Sequence, residues 1–221
     1  MSTPDFLLES IDLKIPLIGL YDAPGDTDFG DIGTPSLSEH ACFFSFYKKW
    51  LKGKTMKLSH KNYGCGGCGT HLFDEVTRSR EDYIRFLADD EGLKANRELM
   101  GAWFDRRKAY KPEHGHLFIG PLKETHEAYL KTVTFFVNPD QLSALMIGAQ
   151  YYSRPDDITP VLAPFGSGCM EMLPLFDDLD KPQAIIGATD MAMRKYLPPD
   201  IMAFTVTVPM YRQLCRIGKD S

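Results

Sequence analysis

Lys131-Thr-Val-Thr-Phe-Phe-Val-Asn-Pro-Asp-Gln141 decides the fold class. Its first seven residues mix β-branched and aromatic side chains, which suit a pleated and half-buried backbone, so Lys131 to Val137 reads as a strand. Asn138 can then cap a helix with its side-chain oxygen, and Pro139 fits the first helical position, where its missing N–H costs nothing. The helix that follows, Gln141 to Tyr152, carries Leu142, Leu145, Met146 and Ala149 on one face. A related pattern closes the chain: a strand over Met202 to Val208, then Pro209 opening a helix over Met210 to Arg216. Two strand–Pro–helix units predict an α+β fold with a mixed sheet or sheets. No linker-like or low-complexity stretch divides the 221 residues, which read as a single domain over 1–221.

Working outward, Thr159 to Ala163 and Gln183 to Ala188 read as further strands. The apolar run Ile11 to Tyr21 reads as another, with Pro16 favouring a sheet edge or a strand end. Asp22 to Ser38 is rich in Gly, Pro, Asp and Thr and reads as a long loop. Its acids Asp22, Asp26, Asp28 and Asp31 lack the order of a calcium loop, so they predict an exposed acidic surface. Ser38 can cap a helix over Glu39 to Leu51, closed by Gly53. Helices are also expected over Glu81 to Ala88 and Leu93 to Tyr110, and His114-Gly115-His116 reads as a surface or packing pair at a strand start.

Chemistry concentrates between His60 and Phe73, in His-Lys-Asn-Tyr-Gly-Cys-Gly-Gly-Cys-Gly-Thr-His-Leu-Phe. Glycines around Cys65 and Cys68 free the backbone to wrap closely round whatever the two sulfurs hold. The Ser38-capped helix puts Cys42 in a first turn, where exposed N–H groups and the helix dipole favour a thiolate. Gly166-Ser167-Gly168 sets Cys169 at another helix start, in a turn that can serve as a plain cap. Cys215 falls in the closing helix and reads as a buried, inert thiol.

The net charge of −5 argues against a nucleic-acid binder that relies on phosphate neutralisation. The N-terminal stretch has no basic and apolar signal pattern, and no apolar run approaches the about 20 residues that span a bilayer. A cytoplasmic protein without membrane or nucleic-acid partners is expected. In a reducing compartment Cys-x-x-Cys points to metal binding or redox work, and five cysteines fit a disulfide framework badly.

From the Ile11 strand to Arg216 the chain resembles the archaeal conserved region (ArCR) family, domain-of-unknown-function family 169. The matching residues are Cys42, Cys65-Gly66-Gly67, Pro121-Leu122, Val137-Asn138-Pro139-Asp140-Gln141, Cys169 and the segment Asp200 to Pro209. The resemblance implies that Cys42, Cys65 and Cys169 belong to the family's cysteine pattern, with Cys68 an addition in this chain. Gly187-Ala188-Thr189-Asp190 departs from the Gly-Asp-Arg type of turn common in the family. The resemblance carries no activity with it.

Four soft thiolates, Cys42, Cys65, Cys68 and Cys169, suit an iron–sulfur cluster or zinc. Structural zinc usually takes two short chelating pairs, and only one is present. A [4Fe–4S] cluster held by one pair and two remote cysteines, walled by Phe43, Phe46, Tyr63 and Met170, is the leading expectation. It would serve electron transfer, sensing or reductive chemistry with a redox partner protein. His71, and after it His60, could replace a thiolate or carry protons. Zinc, a Cys65–Cys68 dithiol oxidoreductase and a non-catalytic small-molecule module with buried cysteines remain open alternatives.

Overall fold

The computed structural model describes residues 11–35, 42–59, 61–62, 79–106, 110–154, 161–162 and 179–217. In chain order the strands are β1 (Ile18–Tyr21), β2 (Ile32–Gly33), β3 (Thr55–Ser59), β4 (His116–Pro121), β5 (Leu130–Val137), β6 (Val161–Leu162), β7 (Ala184–Gly187) and β8 (Met202–Thr207). They form one sheet in the order β2-β3-β4-β1-β5-β8-β7-β6. The outer pairs β2–β3 and β6–β7 are parallel, and the inner pairs are antiparallel. The expected α+β class with a mixed sheet is what the chain adopts.

The helices are α1 (Tyr47–Trp50), entered through a 3-10 turn (Phe43–Phe46), then α2 (Arg80–Arg85), α3 (Arg97–Arg106), α4 (Pro139–Ala149), α5 (Met191–Arg194) and α6 (Val208–Leu214). A π-turn, Phe86–Asp90, prolongs α2, and a 3-10 stretch, Glu124–Tyr129, leads into β5.

Both strand–Pro–helix units form. Asn138 caps α4 in a full capping box: its Oδ1 accepts from the Gln141 N–H at 2.9 Å, and its own N–H donates to Gln141 Oε1 at 3.0 Å. The second unit is offset by one residue. Thr207 ends β8 and also caps α6, which places Pro209 second in the helix. The two helices pack together on one face of the sheet, over Phe135, Val137, Phe204 and Val206. The opposite face buries Ile18, Leu20, Leu117, Ile119, Phe136 and Ala203 under the aromatics of the Phe43–Trp50 segment. A third, smaller core joins α2 to α3 through Ile84, Met100 and Phe104.

Four expectations need correction. The strand in Ile11–Tyr21 is only Ile18–Tyr21, and it lies in the middle of the sheet between β4 and β5, not at an edge. Pro16 precedes it and therefore breaks no ladder bond. Gly19 is what lets the strand sit there, because the Tyr21 ring folds back over it and a Cβ would lie 2.4 Å from Tyr21 Oη. The acidic loop is not wholly exposed: Asp22 is 2% exposed, and Ile32–Gly33 within it forms β2. Helix formation begins at Phe43, so Cys42 precedes the helix as its cap residue, with extended backbone (φ −57°, ψ 139°). The 3-10 first turn brings Phe43 above Phe46 and feeds five aromatics, Phe43, Phe44, Phe46, Tyr47 and Trp50, into the core. The helices expected over Glu81–Ala88 and Leu93–Tyr110 shift to the bounds of α2 and α3, with Ser79 and Asn96 oxygens accepting backbone N–H bonds at their starts.

Candidate functional site

Cys42 is half-buried at the rim of the aromatic core, in contact with the cluster that contains Phe43, Phe44 and Trp50. Its carbonyl accepts the Ser45 N–H at 2.8 Å, and its side chain makes no capping bond. Phe43 meets Trp50 with ring centroids 5.6 Å apart, and Trp50 and Tyr47 both lean on Phe136 of β5, at 5.9 and 5.1 Å. Edge-to-face rings of this kind give the Cys42 backbone a stiff support. Cys65, Cys68, Cys169, His60 and His71 lie outside the described residues. Cys215 sits at the end of α6 and is half-buried, beside Tyr211, not fully enclosed as its helix pattern predicts.

Phe136 links this support to a cleft of about 630 Å³ where β5 passes into α4. Ile15, Phe136 and Ile201 supply apolar surface; Asp12, Lys14, Asn138, Asp140, Gln141 and Asp200 supply the polar part. The walls are fixed by local bonds. Gln141 Nε2 donates to the carbonyls of Ile11 (2.9 Å) and Asp12 (3.1 Å), which pins the N-terminal segment against the α4 start. Asp12 takes a left-handed backbone (φ 46°) under that clamp. On the other side Arg194 binds four carbonyls, those of Ala188 (3.4 Å), Ile201 (2.5 Å), Pro198 (2.9 Å) and Pro199 (2.8 Å), and so holds the turn that carries Asp200. Burial, and then the Asp200 carboxylate, push the Tyr47 phenol upward, which places Asp200 close to the helix that follows Cys42.

At the opposite end of β1, Asp22 gathers a second polar cluster. Its carboxylate accepts from Tyr110 Oη (2.6 Å) and the N–H groups of Glu113 (2.8 Å) and His114 (3.4 Å), and it faces His114 Nδ1 at 2.9 Å. Burial pushes this carboxyl up, but those bonds outweigh burial and hold it below the usual carboxylate range. His116, the other half of the His-x-His pair, is pushed down by burial and by the nearby Lys57 ammonium. The pair is therefore partly packing, as its sequence context suggests, with His114 engaged by Asp22. Asp22 was readable only as one acid among four in a turn-rich loop; nothing in its spacing singles it out. Among the described residues no three or more His, Cys, Asp or Glu side chains are placed to hold a metal ion.

A family model, DUF169, described as uncharacterised ArCR, matches residues 20–216. The chain belongs to the DUF169 family. No curated protein and no solved structure matches it. In this DUF169 member the segments that carry the family resemblance meet in space: Asn138, Asp140 and Gln141 from one, and Asp200 and Ile201 from the other, line the same cleft. Read as sequence, the first is a helix start and the second a strand start. Only the register of β5 against β8, with Val137 opposite Met202, brings them together. No described helix is long and apolar enough to cross a membrane.

Proposed function

We propose that this DUF169 member is an iron–sulfur protein whose cluster, of the [4Fe–4S] type, is held by Cys42, Cys65, Cys68 and Cys169. The observation that carries the proposal is the setting of Cys42. A cluster needs thiolates presented from stiff backbone and shielded from bulk water, because solvent exposure and hydrogen bonding set its stability and potential. Cys42 meets both needs: it is half-buried, and it borders a packed cluster of aromatic rings. Chain reach is compatible with the set. Cys65 follows the end of β3 by six residues and Cys169 follows the end of β6 by seven, spans of up to about 20 and 24 Å. β3 and β6 are separated by six strand spacings, roughly 29 Å, and run in opposite senses. The two spans therefore leave from opposite ends of the sheet and must also cover about one strand length, with the Cys42 helix on one face of the sheet. The bound cluster would supply one-electron redox chemistry to a partner protein or substrate; the chain supplies the thiolates and the aromatic shield.

Protein purified without oxygen is expected to be coloured and to contain iron and acid-labile sulfide. Cys42→Ser and Cys169→Ser should each remove that colour as completely as Cys65→Ser does. Iron-free protein would overturn the proposal, whether it carries zinc instead or cycles Cys65 and Cys68 between dithiol and disulfide. Loss of colour in Cys65→Ser but not in Cys42→Ser would overturn the four-cysteine assignment.

A further inference from the structure

We infer that the cleft between the N-terminal segment, the start of α4 and the Pro198–Ile201 turn is a binding site for a small aliphatic amine taken up as its ammonium ion. The inference stands apart from any cluster. About 630 Å³ is a volume typical of small-molecule sites, which combine apolar lining with a few fixed polar groups. This cleft has that composition: half-buried Ile15, beside the buried Phe136 and Ile201, offers apolar surface for a hydrocarbon body.

The charged groups decide the sign of the ligand. Asp12, Asp140 and Asp200 face one cation, Lys14, and Lys14 already lies 3.5 Å from Asp12. Asp140 and Asp200 have no ion-pair partner among the described residues. An anion would ordinarily be drawn to the N-terminus of a helix. Here that end is largely closed, because the capping box takes the Asn138 and Gln141 N–H groups, Pro139 has none, and Asp140 adds a negative charge in the first turn. An ammonium group gains a charge-assisted bond to either unpaired carboxylate.

Preorganisation adds to the inference. Gln141 fixes the 11–12 backbone and Arg194 fixes the turn before Ile201, so both walls are set before a ligand arrives. Gln141 is neutral, and the Arg194 guanidinium is bonded to backbone carbonyls and does not line the cleft; the two residues position Asp12 and Asp200.

The test is calorimetric titration of the full chain at low ionic strength with three five-carbon probes: 1,5-diaminopentane, 1,5-pentanediol and glutarate. The diamine is expected to bind saturably at one site and to weaken several-fold on adding salt, with the diol and the diacid much weaker. Asp200→Asn and Asp140→Asn should each weaken the diamine by about tenfold, the scale of one charge-assisted bond. Asp26→Asn, an exposed acid outside the cleft, should leave binding unchanged. All three sites are on the surface, and circular dichroism checks that each variant is folded. Equal affinity for diol and diamine, tighter binding of glutarate, equal weakening by Asp26→Asn, or no saturable diamine binding up to about 10 mM would each overturn the inference.

Discussion

Replacing Asp22 by alanine tests the energetic reading of the polar cluster at the end of β1. The carboxylate is fully buried and serves Tyr110 Oη, two backbone N–H groups and the His114 ring. Alanine leaves these donors without their acceptor in a place where each costs about 1–3 kcal/mol if it stays dry. The costs do not add fully, because Tyr110 is only half-buried and Glu113 and His114 are exposed enough to turn toward water. A loss of about 3 kcal/mol is expected, and about half that for Asp22→Asn, whose amide oxygen keeps some of the bonds. Urea denaturation at pH 7 with linear extrapolation measures both. The pH dependence supplies the sign. The carboxyl is held below its ordinary value in the folded protein, so its contribution is full above the unfolded value near 4. It is lost as pH falls through the folded value, so wild type and Asp22→Asn should converge in acid. An Asp22→Ala loss below about 1 kcal/mol at pH 7, or a gap to Asp22→Asn that widens in acid, would refute the reasoning.

Two further outcomes follow from bonds that can be removed singly. Asn138→Ala deletes the capping box of α4 and should cost about 1 kcal/mol in the same denaturation experiment; amide exchange should quicken at Leu142, whose N–H the Asn138 carbonyl accepts at 2.9 Å. Thr134 and Thr205 share a hydroxyl–hydroxyl bond of 2.8 Å across β5 and β8, wholly inside the sheet face. Either Thr→Val change alone strands a buried hydroxyl and should cost about 1–2 kcal/mol, whereas the double change should cost less than the sum. An additive cycle would mean that the two hydroxyls do not depend on each other.

Elements with local causes were legible in the sequence. Asn138, Pro139 and Gln141 write a helix start into a single turn of chain, and the structure has it at that position. The β-branched and aromatic run of β5 needs only its own composition. β1 was misplaced because centrality depends on partners far along the chain, Phe118 to Pro121 and Leu130 to Thr134, that a short apolar run cannot announce. The Cys42 helix was started too early for a related reason. Ser38 is an acceptable cap, but the five aromatics from Phe43 onward set the start by what they bury. At the cleft, sequence reading placed Asn138 as the helix cap but not its shared wall with Asp200, since a cap motif and a strand start meet only through the cross-strand register. Arg194 shows no motif at all: three of its four carbonyl partners come from a turn that contains Pro198 and Pro199, and the fourth is Ala188.

The two-residue strand β2 at one margin of the sheet has a consequence for how copies of this chain meet. A wide sheet normally exposes a ladder of unused donors and acceptors along each outer strand, on which another chain can continue the pleat. At one margin β2 contributes only Ile32–Gly33 among the described residues, and it runs parallel to its neighbour β3. A docking strand would find too few groups along β2 to set a register. Crowded copies are thus steered away from strand exchange at that margin, while the long, strongly hydrophobic β5 and β8 lie away from it inside the sheet.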